Sequence, residues 1–242
     1  MHFLSIFFLS LFLFVQNSGF SEEVRYYWSQ CGQDSYLNQR LFKGKKNGVF
    51  VDIGAHNGIT YSNTYFYEKF LGWKGICIEP IPQVFDQLQK NRNCICVKGC
   101  ITPKEEKLSF LQVNGNGKVE VEMLSGIFDK YHPEHLKRVQ REVAACGGSF
   151  EIIQVDGYVL NALLKKHNMF HIDFLSLDTE GGELEILQSI DFSKFKIDVI
   201  AVENNNNTPF EPFLKSKGFT KLANFPWDEI YVRNAILNQV QD

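Results

Sequence analysis

The chain has 242 residues, 44% hydrophobic and 22% charged, with a formal net charge of -3. That length buries a sizeable core without disulfide or metal support. The mildly acidic balance offers none of the basic field that a nucleic-acid partner needs. Phenylalanine is unevenly spread: of 22, six (Phe3, Phe7, Phe8, Phe12, Phe14 and Phe20) precede residue 22.

Residues 3–15 read FLSIFFLSLFLFV. Thirteen residues at ~1.5 Å each fall short of a ~30 Å hydrocarbon core. The run fits a signal-peptide core, with residues 1–21 as a leader removed near Gly19 to Ser21. A retained signal anchor is the alternative, since no Lys or Arg precedes the run. Either places the protein outside the cytosol or on a membrane; without them it would be cytoplasmic. The rest, residues 22–242, is expected to form one domain.

GVFVDI (48–53) reads as a strand ending at Gly54, and residues 62–71 as a helix closed by Gly72. KGICIE (74–79) is a second strand, QVFDQLQKN (83–91) a helix and CICVKGCI (94–101) a third strand. KLSFLQVNGNGKVEVEM suggests a hairpin turning at Asn-Gly. Residues 128–145 form a charged helix within an excursion spanning about 123–148. Asp156 is expected to cap a helix over 157–167. FHIDFLSLD (170–178) is the most apolar strand, followed by a helix from Gly182 to Ile190. KIDVIAVE (196–203) is a fifth strand, and residues 209–218 a helix. FTKLANF and EIYVRNAIL form a closing hairpin. Strands alternating with helices imply an α/β fold, a mostly parallel sheet with helices on both faces and a C-terminal antiparallel hairpin.

Cys77, Cys94 and Cys96 read as buried small hydrophobes. No paired CxxC pattern supports a structural zinc. His132 and His135, three apart on the charged helix, are expected on its solvated face. Asn206-Asn207-Thr208 is a glycosylation sequon, meaningful only in a eukaryotic secretory compartment.

Ligands of open α/β sheets sit beyond the carboxyl ends of the strands. The first strand ends in Asp52-Ile53-Gly54-Ala55-His56-Asn57-Gly58, a glycine-rich turn that is not GxGxxG. An acid there repels a pyrophosphate and suits a cationic ligand. Gly54 and Gly58 would let the chain approach it closely. The second strand ends in Glu79-Pro80, where an acid can accept from both ribose hydroxyls. The fourth ends in Asp178-Thr179-Glu180-Gly181-Gly182-Glu183. Asp178 or Glu180 could act as general base for an acceptor hydroxyl. Glu183 reads instead as a helix-start acid.

VDIGAHNG, CIEP, and IDFLSLDTEGGELEIL followed by IDVIAVENN resemble the FkbM-type methyltransferases, a branch of the class I adenosylmethionine-dependent fold. Ser29 to Asp34, SQCGQD, is similar to the SQxGQD stretch that opens many members. The resemblance covers about residues 28–235. It implies one Rossmann-like domain with a seven-stranded sheet and S-adenosyl-L-methionine as cofactor. By resemblance Asp52, Gly54, Ala55, His56, Asn57, Gly58, Glu79 and Pro80 line the cofactor site, with Cys100 and Ile101 near adenine. Asp178 and Glu180 match the DxEG motif near the reacting centre. His56 departs from the family pattern, and a leader is unusual for an enzyme whose cofactor is cytosolic.

The expected activity is O-methylation of a sugar, glycan or other small hydroxylated acceptor. Methyl transfer from a sulfonium requires no metal in principle, and no residue is assigned as a metal ligand, although the acids after the fourth strand leave room for one. The rival reading is an exported or membrane-tethered interaction module that keeps the fold without catalysis. A nicotinamide enzyme would need GxGxxG and Tyr-xxx-Lys. A nucleic-acid methyltransferase would need Asn-Pro-Pro-aromatic where LDTE stands. No nucleic-acid partner is expected.

Overall fold

The computed structural model describes residues 27–205 and 207–240. The expected leader and Asn206 of the sequon lie outside them. In chain order, α1 (Gln33–Leu37) leads through a π-turn to β1 (Val49–Ile53), α2 (Tyr65–Leu71), β2 (Lys74–Glu79), α3 (Pro82–Asn91) and β3 (Ile95–Lys98). Next come β4 (Cys100–Ile101), β5 (Glu106–Asn114), α4 (Val119–Glu122), β6 (Gly126–Ile127), α5 (Pro133–Cys146) and β7 (Ser149–Tyr158). The chain continues with α6 (Leu160–Lys166), β8 (His171–Leu177), α7 (Glu183–Ser189), β9 (Lys196–Glu203), α8 (Phe210–Ser216), β10 (Phe219–Asn224), β11 (Asp228–Arg233) and α9 (Asn234–Val240).

Seven strands form one sheet in the order β10-β11-β9-β8-β1-β2-β3. All neighbours are parallel except β11, which runs antiparallel to both β9 and β10. The chain moves outward from β1 in both directions, so the strand order switches between β1 and β8. Successive residues of β1 face opposite ways. Val51 and Ile53 join one apolar cluster with residues of α6, α7 and α8. Phe50 joins another with residues of α1, α2 and α3. Burial on both faces explains the unbroken apolar run of β8. Each such side chain contributes ~1.5–3 kcal/mol when fully buried.

Several expectations need correction. The third apolar run is two strands, because the chain turns at Gly99. Its first part pairs with β2, and its second leaves for a four-stranded sheet of order β4-β7-β5-β6. The Asn-Gly segment does not fold back as a hairpin: β5 takes β7 as partner over nine residue pairs. VEVE, which alternates like a strand, forms one helical turn that buries Val121. Asp156 caps nothing; it lies in β7 with its carboxylate 2.6 Å from Lys107 Nζ. The closing hairpin stops at Arg233, and the residues after it are helical. The helical excursion is therefore part of a small sheet packed on α5. No helix among the described residues is long and apolar enough to cross a membrane.

Candidate functional site

A cavity of about 190 Å³ opens at the carboxyl ends of β1, β2, β8 and β9, at the switch in strand order. Its far wall comes from the small sheet and the turn around α4, including Phe110, Met123 and Ile127. Of the residues expected to form the site, Asp52, Gly54, Ala55, His56, Glu79, Pro80, Cys100, Ile101, Asp178 and Glu180 all line this cavity. Asn57 and Gly58 do not. Asn57 instead closes the turn, its Oδ1 accepting from Ile59 N at 3.0 Å and Thr60 N at 2.9 Å.

The glycines also have a packing role. A Cβ on Gly54, at φ 83°, would lie 1.7 Å from the Asp178 carbonyl oxygen. One on Gly58 would lie 2.6 Å from Leu88 and Arg92 side-chain carbons. Both absences let protein segments pack together. Gly54 thereby brings the β1 turn against the end of β8, joining the two halves of the cavity.

Asp52 is buried. Its Oδ2 accepts from Thr64 Oγ1 at 2.5 Å and lies 3.9 Å from Arg92 Nη1. Burial raises its pKa, while Arg92 and Thr64 oppose that rise. Part of its charge is therefore answered by the protein. Glu79 is also buried, with Oε2 accepting from His56 N at 3.1 Å and Oε1 from Ile81 N at 2.8 Å. Burial pushes its carboxyl up to about 8 against these two bonds. It has no Lys or Arg partner among the described residues. His56 adopts a left-handed backbone, φ 46°. Neither of its buried ring nitrogens has a hydrogen-bond partner, and burial lowers its pKa to about 4.

Asp178 keeps water access on the cavity floor while the walls enclose it. Lost hydration, reinforced by Asp228, pushes its carboxyl up to about 7. Glu180 and Glu203 are raised well above the ordinary range, first by burial and then by Asp178. Carboxylate oxygens of these three lie within 4.8 Å of one another. Glu183 behaves as the helix-start acid expected, its Oε1 accepting from Gly181 N and Thr179 Oγ1, both at 2.8 Å.

Several lining residues were not singled out beforehand. Gln30 and Gln33 reach the cavity from SQCGQD, a segment noted only for its resemblance. Trp227 and Asp228 come from the β10–β11 turn, and Tyr61 and Asn63 from the loop before α2. Arg138 enters from α5. His135 does not line the cavity but is the clearest miss: it is buried, stacks on Tyr131 with centroids 4.9 Å apart, and places Nε2 3.4 Å from Glu180 Oε2. His132 has the more peripheral role, capping α5 by accepting from Glu134 N.

Eight carboxylates line the cavity (Asp52, Glu79, Glu120, Glu122, Asp178, Glu180, Glu203 and Asp228) against a single Lys or Arg, Arg138. Such a lining favours a cationic ligand over a phosphate.

A profile described as "Methyltransferase FkbM domain" matches residues 52–226. A search of curated proteins finds no match. Among solved structures, the METTL16 MTase domain is similar at 13% identity and a TM-score of 0.44, covering 83% of this chain and 65% of that one. The precorrin-6y C5,15-methyltransferase of Geobacter metallireducens GS-15 is similar at 13% identity and a TM-score of 0.40, covering 83% and 87%. The human methyltransferase 10 domain containing protein is similar at 14% identity and a TM-score of 0.40, covering 83% and 80%. The chain thus spans 65% of the first structure's length.

Proposed function

Because the chain belongs to the FkbM methyltransferase family, we propose that its cavity binds S-adenosyl-L-methionine and methylates a hydroxyl oxygen of a sugar, glycan or other small acceptor. One observation carries this reading: the buried Glu79 carboxyl group, fixed by two backbone N–H groups beside the Gly54 turn. Both oxygens keep hydrogen-bonding capacity for a ribose hydroxyl, as acceptors or, where protonated, as a donor.

The residues fit the cofactor. The excess of acids suits its sulfonium and ammonium, the unpartnered His56 ring offers a polar contact, and Ile81, Ile101 and Phe110 provide an apolar wall for a base. When bound, it supplies an activated methyl that passes to the acceptor oxygen while the carbon–sulfur electron pair stays with sulfur. Asp178 takes the hydroxyl proton; with a carboxyl near 7 it can hold and release one. Such a base contributes ~10²–10⁴-fold. Holding the acceptor in line contributes more, up to ~7–11 kcal/mol. Trp227, 46% exposed, forms an amphipathic rim with Tyr61 and Asn63 that suits a hydroxylated acceptor.

The test is incubation of the full chain with methyl-labelled cofactor and a metabolite and glycan extract, read by mass spectrometry. A labelled ether is the expected product. Cofactor binding without label on any pool would favour the second reading, an exported or membrane-tethered module without catalysis, motivated by the N-terminal apolar run.

A further inference from the structure

We propose that the end of the large sheet opposite the cavity is a docking face for a membrane surface rich in anionic phospholipid. The connections that lead into β1, β2, β3, β8, β9 and β10 all reach this end, because these six strands run the same way. Six exposed lysines stand on them. Lys46 precedes β1, Lys69 lies in the last turn of α2, and Lys74 opens β2. Lys165 and Lys166 lie in the last turn of α6, and Lys215 in that of α8. None of the six has an ion-pair partner among the described residues.

The acids described at this end are already answered. Glu68 lies 2.6 Å from Arg92, Asp173 2.5 Å from Lys45, Asp191 2.6 Å from Lys194 and Asp198 3.4 Å from Lys196. The six lysines are therefore a surplus. Helix dipoles account for the four at helix ends, but Lys46 and Lys74 belong to a loop and a strand. At the opposite end eight carboxylates face Arg138 alone. The net charge of -3 conceals this separation.

The shape and chemistry of the face point to a bilayer. Its seven strands, ~4.8 Å apart, spread the lysines over about 29 Å, a breadth that suits a plane of charge rather than one small anion. All six are lysines, point charges without the fork with which arginine grips a nucleic-acid phosphate. Phe70 and Phe170, 48% and 49% exposed, stand beside Lys69 and next to the strand start at His171. Basic side chains interleaved with exposed aromatic rings suit the headgroup layer. The chain also enters the domain here: Tyr27 packs on Phe66 with centroids 4.6 Å apart, and Trp28 stacks on Phe70 at 5.4 Å. Residues 16–26 can span at most ~40 Å, so the apolar run at 3–15 can reach the same bilayer. Docked this way, the cavity opens away from the membrane. The proposal does not depend on the methyltransferase reading.

The test is flotation of the full chain with vesicles of phosphatidylcholine alone and with about one quarter phosphatidylglycerol. The apolar run serves both equally; the lysine face serves only the second. Each lysine at an anionic surface is worth about fivefold in partition, so the wild type should prefer the anionic vesicles by at least ~100-fold at low salt and lose most of that preference in about 0.5 M salt. Combining Lys69→Glu, Lys165→Glu and Lys166→Glu, with folding checked by circular dichroism, should abolish the preference. The same charge change made by Lys104→Glu, Lys107→Glu and Lys137→Glu, on the small sheet and α5, should preserve most of it. Equal partition of the wild type into both vesicles would overturn the proposal, as would equal loss in the two triple variants, which would mean that net charge alone is read. Tighter binding to a DNA duplex than to anionic vesicles in the same buffer would also overturn it.

Discussion

At the amino-terminal end of the parallel strands His171, Asp173 and Asp198 gather within 4.8 Å, as Asp178, Glu180 and Glu203 do at the carboxyl end. The first group is woven into ion pairs: Asp173 holds Lys45 and accepts from Val49 N, and Asp198 accepts from His171 at 2.6 Å. The second faces a cavity and has its carboxyls forced upward by burial and by one another, with only Arg138 opposing that rise at Glu180 and His135 3.4 Å away. Acids answered by the chain hold the sheet edge together. Acids left unanswered in a concave site are the signature of a place kept for a ligand.

That contrast can be broken by changing one acid at each end. Asp178→Asn should lower kcat ~10²–10⁴-fold while leaving stability unchanged or raised, because an amide removes one of several crowded charges. Loss of activity with a matching loss of folding would refute the division. Asp173→Asn should do the reverse. Weakening the bonds to Lys45 and Val49 N costs about 1–2 kcal/mol, visible as a lower midpoint in thermal melts. Cofactor affinity and kcat should not move; a change in either would tie the two ends together.

A further effect concerns pH. Glu79 rises from an ordinary 4.5 to about 8 in the fold. Between those values the folded state keeps a proton that the unfolded state has lost, so stability falls as pH rises. The slope approaches about -1.4 kcal/mol per pH unit for one such proton. Denaturant titrations of wild type and Glu79→Gln across this window should differ by up to that slope. Parallel curves would mean that Glu79 ionises normally.

The parallel strands of the large sheet were legible because burial on both faces leaves long apolar runs, as in VFVDI and HIDFLSL. The strand-end acids followed from that placement. The small sheet was not legible. β5 and β7 are separated by the residues of α4, β6 and α5, and nothing local in either strand names its partner. The CICVKGCI run hid a change of sheet because apolar character does not report pairing. His135 was hidden for a similar reason. Its helix is strongly charged, and only the packing of α5 on the small sheet turns that face toward Glu180. The sequence showed the glycines but not their neighbours, so the close approach of Gly54 to Asp178 could not be read from it.

The central claim is that Glu79 anchors S-adenosyl-L-methionine in this cavity. Calorimetric titration of the full chain with the cofactor, beside a folded Glu79→Ala variant, tests it most directly. The account expects one site in the wild type and a loss of ~10–100-fold in the variant, about 1.5–3 kcal/mol. Equal affinity in the two proteins would contradict it.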